Sequence, residues 1–178
     1  MSECLVATVA VDINAAADEA ISQLSELDES MAEVVRNFDA KELMTDCVEK
    51  VLAMYRENSQ YKVEDGFLMT EKGPHWQTHD PAGNQILGVV KSKEMPRGIG
   101  FVVSPSGRVG FVEHHYGRGT QNDPEAQLSF KNEAKDLLLT HALSTIFKAA
   151  GFEISEFQME QNEKTGELEA VKMMGVRQ

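Results

Sequence analysis

The chain has 178 residues, 42% of them hydrophobic, and a net charge of −12, which fits one folded domain with a real apolar core. No apolar run approaches the roughly 20 residues of a membrane-spanning helix. Cys4 and Cys47 lie far apart with no Cys-x-x-Cys, which argues against a disulfide framework or a cysteine zinc site and makes a reducing cytosol the expected compartment.

Leu5 to Ile13 reads as a strand, with Leu5, Ala7, Val9, Val11 and Ile13 on one face. Its continuous apolarity predicts that both faces are covered, near the centre of a sheet. Glu3 and the absence of a positive leading region argue against a secretory signal here. Asn14 is then the expected cap of a helix to about Leu27. Ser30-Met31-Ala32-Glu33 has the form of a capping box. Asp39 is the expected cap of a longer helix to about Glu57, with Leu43, Met44, Cys47, Val48, Val51, Leu52 and Tyr55 on one face. Cys47 lies inside that stripe and reads as a small buried thiol.

Asn58 to Gly66 is polar and reads as a linker, after which the pattern turns from helical to β. Short strands are predicted at Phe67–Thr70, His75–His79 and Gln85–Lys91, separated by turn residues. Trp76, the single tryptophan, is expected to be a buried anchor.

Gly98 to Gly117 is the stretch around which the rest is organised. Phe101-Val102-Val103 and Val109-Gly110-Phe111-Val112 are two strand-forming runs around Ser104-Pro105-Ser106-Gly107. Pro105 presets the first turn position, and Gly107 supplies the residue with positive φ. Gly98, Gly100 and Gly110 mark positions where another element approaches closely. Ser104 and Ser106 lack the Gly-x-Ser-x-Gly setting of an activated nucleophile.

Asp123-Pro124 opens a helix from about Glu125 to Ala150, with Phe130, Ala134, Leu138, His141, Ala142 and Ile146 on its stripe and Gly151 ending it. Phe152–Gln161 and Glu167–Met174 form a closing hairpin through a turn at 162–166. The predicted fold is therefore α+β. It has one domain over 1–178, with helices in 14–57, a sheet-rich part over 66–176, and a mainly antiparallel sheet covered by the long C-terminal helix and the N-terminal helices.

Charge is segregated along the chain. Residues 1–65 hold 15 acids and 5 bases, whereas Lys91, Lys93, Arg97, Arg108 and Arg118 make 91–118 the one basic island. Bulk acidity opposes nucleic-acid binding. The basic island and the acidic helices instead suggest a non-enzymatic accessory protein that docks on a protein partner through charged surfaces. The alternative is chemical. His75 and His79 share a strand face at i and i+4, and His114 and His115 follow Glu113. If those segments are neighbours, His75, His79 and one of His114 and His115, with Asp80 or Glu113, offer ligands for a divalent metal, making a metal-binding domain or metal-dependent enzyme.

The C-terminal part, GFVVSPSGRVGFV through LLLTHALSTIFKAAGF into ISEFQMEQNEKTGELEAV, resembles a small uncharacterised family. This is the hypothetical chloroplast reading frame thirty-five group of plastids, cyanobacteria and some phages, a domain of unknown function. The matching residues are Gly151-Phe152, Glu156 and Gly166-Glu167, with the register of the helix before them. The resemblance implies a strand hairpin, a helix and an acidic closing hairpin. It implies no activity and no catalytic residues.

Overall fold

The computed structural model describes residues 3–117, 119–161, 164 and 168–177, with the closing strands from residue 154 on described by backbone alone. Five strands make one antiparallel sheet in the order β1(Cys4–Asp12)-β7(Arg108–His115)-β6(Ile99–Val103)-β5(Gly88–Lys91)-β2(Lys62–Glu64). The fold is α+β, as the sequence predicts.

The β6–β7 hairpin is built as its residues dictate. Gly107 N–H donates to Ser104 O at 2.9 Å, and Ser104 N–H donates to Arg108 O at 2.8 Å. Gly107 takes φ +83°. Phe101 pairs with Phe111, and Val103 with Val109. The turn also abuts the start of α3(Ala40–Glu57). A Cβ on Gly107 would lie 2.6 Å from the Ala40 Cβ and 2.7 Å from the Ala40 carbonyl carbon. Only glycine fits both the dihedral and the space.

Alternation along β6 sends side chains to both sides, and all five of its residues are buried. Ile99, Phe101 and Val103 face a core shared with α3 and with α4(Pro124–Ala149). Phe130 of α4 closes on Phe101 at 6.1 Å between ring centroids, and Phe101 meets Phe111 edge-on at 5.4 Å. Each fully buried side chain of this size contributes about 1.5–3 kcal/mol. Val102, on the other side of β6, belongs to a smaller core with Phe67, Met69, Ile86, Val89 and Val112. That core is roofed by a hairpin of β3(Phe67–Met69) and β4(His75–Gln77). The order of layers is helices, sheet, hairpin roof.

The central strand is thus β6, and the expectation that Leu5–Ile13 lies centrally is corrected. Among the described residues β1 is an edge strand, bonded to β7 alone. Hydrophobic continuity records what a strand's side chains tolerate, whereas its neighbours decide its position. Val6 is 40% exposed and Val9 65%. The opposite edge, β2, falls inside the segment read as a linker. It has three residues, two of them charged, and gives no apolar signal.

Aspartates start the helices. Asp39 accepts from Glu42 N–H at 3.0 Å and Asp123 from Ala126 N–H at 2.9 Å, both as predicted. For α1(Ile13–Leu27) and α2(Glu29–Arg36) the caps are Asp12 and Asp28, and not Asn14 and Ser30. A carboxylate satisfies the orphan N–H groups and faces the positive helix end, so the nearby aspartate displaces the neutral candidate. Gly151, at φ +91°, ends α4. β8(Phe152–Gln161) and β9(Leu168–Arg177) form a two-stranded ribbon separate from the main sheet. Most of their predicted turn lies outside the described residues.

Candidate interaction surface

The β3–β4 roof has two unlike faces. Phe67 and Met69 point down onto the sheet, and the missing Cβ at Gly100 makes room for the Phe67 ring. A Cβ there would stand 2.9 Å from Phe67 Cε2. The intervening residue Leu68 must then point outward, and so must Trp76, its direct partner across the strands. Leu68 is 40% exposed and Trp76 54%. Trp76 is therefore not a buried anchor: on a three-residue strand His75 and Gln77 take the sheet side, and Trp76 takes the other. The outer face carries an apolar pair lifted into solvent.

The roof is tied down at both ends. Asp80, itself buried, accepts from Asn84 N–H at 2.8 Å and from Asn84 Nδ2 at 3.1 Å, closing the 80–84 turn. At the other end Glu3 acts as a clamp. Its carboxylate accepts from Thr70 N–H at 2.6 Å, Thr70 Oγ1 at 2.8 Å and Glu71 N–H at 2.8 Å. Glu71 returns the bond by accepting from Glu3 N–H at 2.7 Å. The Glu71 amide, with the Thr70 groups, holds the Glu3 carboxyl below the usual carboxylate range against the opposing effect of burial.

Beside this clamp, under the roof edge, lies a cleft of about 370 Å³ lined by Glu3, Cys4, Glu71, Lys72, His75 and His79, among others. His75 and His79 thus do share one depression, and both are exposed. His75 Nδ1 is 3.1 Å from Gly73 O, and His79 Nδ1 is 3.1 Å from Thr78 Oγ1. His114 lies deeper, with 8% of its side chain exposed, against Phe67. Its Nε2 is 4.0 Å from Glu3 Oε1 and has no hydrogen-bond partner among the described residues. Burial, then the charge of Arg97, pushes the His114 pKa down, so the ring is neutral at pH 7.

His115 is the next residue along β7 and faces the helices instead. Its Nε2 is 2.9 Å from Glu113 Oε2, and Glu113 also pairs with Lys131 of α4. Strand alternation therefore separates His114 from His115 and puts His114, of the two, on the roof side with Phe67 and Glu3. Among the described residues no three His, Cys, Asp or Glu side chains stand close enough to hold a metal. Ser104 is a turn residue, its Oγ accepting from Arg108 N–H at 3.1 Å.

The basic island is largely used within the fold. Lys91 Nζ is 2.9 Å from Glu64 Oε2, and Arg108 Nε is 3.1 Å from Asp12 Oδ2. Arg97 is 8% exposed. Its guanidinium donates to Tyr116 O and, through Nε, to Thr120 O at 3.3 Å. Its backbone N–H donates to Asn122 Oδ1 at 2.9 Å. Arg97 thus ties Tyr116, Thr120 and Asn122 together from the inside. Lys93 is exposed, and Arg118 lies outside the described residues.

Set against known protein families, curated proteins and solved structures, the chain matches none. The exposed Leu68–Trp76 pair was not legible as a site in the sequence. The only signal for it is a tryptophan one residue out of phase with its inward neighbours on a short strand.

Proposed function

We propose that the protein is a non-enzymatic accessory protein of the cytosol that docks on a protein partner, with Leu68 and Trp76 on the β3–β4 roof as the anchor. The observation that carries this reading is the cross-strand pairing of a 54% exposed tryptophan with a 40% exposed leucine. Tryptophan anchors dominate protein interfaces when a partner pocket desolvates them. The net charge of −12 favours a partner whose contact surface is rimmed by basic residues. The polar groups beside the anchor support a structural part over a chemical one, since the Glu3 carboxylate already accepts three hydrogen bonds from the roof.

The test compares wild type with Trp76→Ala and Leu68→Ala in affinity capture from the native host, followed by titration with the purified partner. Loss of a tryptophan anchor costs about 2 kcal/mol or more, so Trp76→Ala weakens binding roughly 30-fold. A partner held equally well by both variants, or no partner at all, overturns the reading.

A further inference from the structure

The two edges of the five-stranded sheet are built differently. β2 carries the devices that keep an edge from pairing: it is three residues long, and Lys62 and Glu64 lie on it in ion pairs, Glu64 also holding Lys91. β1 carries almost none. It is nine residues long, about 30 Å of strand, and from Cys4 to Val11 it has no charged residue and no proline. A single register shift between Val9 and Val11 is its only irregularity. No strand pairs with its outer edge among the described residues. Val6, Ala7, Thr8 and Val9 are all exposed. Val6 and Thr8 lie on the side of Glu113 and Phe111, and Ala7 and Val9 on the side of Val112 and Gly110. A strand added at this edge gives each of these side chains a cross-strand neighbour on its own face.

We propose that β1 pairs with β1 of a second copy, antiparallel about a two-fold axis near Thr8, joining the two sheets into one of ten strands. An antiparallel edge is complementary to itself, so the same surface serves both copies and the contact closes. An axis at Thr8 sets Ala7 of one copy opposite Val9 of the other and Val6 opposite Ala10, so both exposed valines gain a cross-strand neighbour. Charge at the strand ends fits the same arrangement. Arg108, half-exposed beside Asp12, marks the C-terminal end of β1. Glu71, exposed and bonded to Glu3, marks the other end. The two-fold brings Arg108 of each copy toward Glu71 of its mate. The strand between is uncharged, which allows two acidic molecules to approach there when salt screens their flanks to within roughly 8 Å. This contact lies on the sheet edge and is separate from the Trp76 anchor.

The experiment is sedimentation velocity of the full chain at physiological salt, from low micromolar to several hundred micromolar. The expected result is a reversible monomer–dimer equilibrium in wild type. Val9→Lys, at a 65% exposed position, should keep the circular dichroism spectrum and raise the dissociation constant about tenfold or more, since the axis doubles every lost cross-strand contact. Trp76→Ala should leave the dimer unchanged, which separates this contact from the partner-docking reading. As a second measurement free of mutation, amide exchange in residues 5–11 of wild type should slow as concentration rises. A monomer throughout, a dimer indifferent to Val9→Lys, or β1 exchange independent of concentration overturns the proposal.

Discussion

Gly107→Ala tests whether the hairpin turn and α3 form one packed unit. The substitution has two costs. At φ +83° an alanine is strained by about 1–2 kcal/mol. Its Cβ would also sit 2.6–2.8 Å from the Cβ, carbonyl carbon and carbonyl oxygen of Ala40. These atoms belong to the first turn of α3 and cannot swing aside as a flexible side chain would. Overpacking of this kind costs a further 1–3 kcal/mol or so. Gly151→Ala is the internal control. It has a similar dihedral, φ +91°, but a Cβ there meets nothing within 4 Å, so only the strain of about 1–2 kcal/mol remains. Urea and thermal unfolding of the two variants, read by circular dichroism, give the comparison. At about 2–4 °C per kcal/mol for a chain of this size, Gly107→Ala should fall roughly 10 °C and Gly151→Ala roughly 4 °C. Equal losses would refute the claim that the turn is jammed against α3.

Removing Arg97 should destabilise far more than removing Arg108. Arg97→Ala leaves the Tyr116 and Thr120 carbonyls without their buried donor and should cost about 3 kcal/mol, whereas Arg108→Ala removes a half-exposed pair worth less than about 1 kcal/mol; chemical denaturation decides. Stability should decline as pH falls below 6.5, because His114 has its folded pKa lowered and the unfolded chain then takes up the proton that the folded chain refuses. Replacing His114 by Phe should flatten that decline without abolishing it, since His141 is shifted the same way by burial; an unchanged pH profile would refute the assignment. Cys47, with its thiol pushed up to about 11 by burial, should resist alkylation in the native protein at pH 8 while Cys4 reacts, as mass spectrometry of the labelled peptides will show.

What the sequence disclosed was chemistry that acts over a few residues. Pro105 and Gly107 fix a turn whatever surrounds them, and Asp39, Asp123-Pro124 and Gly151 mark helix ends by satisfying adjacent backbone groups. What it concealed depends on distant partners. Arg97 looks like any surface arginine until the 116–122 loop folds over it. His114 and His115 are equivalent in composition and separated only by which face of β7 each takes. Trp76 is outward because Phe67 needs the space above Gly100, and that couples three segments of chain. The exposed edge of β1 was hidden by its own apolarity, which reads the same for a central strand and an unprotected one.

The pairing of β1 with β7 also has a bearing on how the molecule is made. Leu5 bonds opposite His114, so a ribosome must add about a hundred residues before the mate of β1 exists, roughly 5–20 s of synthesis. Throughout that interval the uncharged run Leu-Val-Ala-Thr-Val-Ala-Val hangs from the nascent chain with nothing to zip against. Slowing translation between residues 12 and 108 should therefore raise the insoluble fraction more than slowing it afterwards.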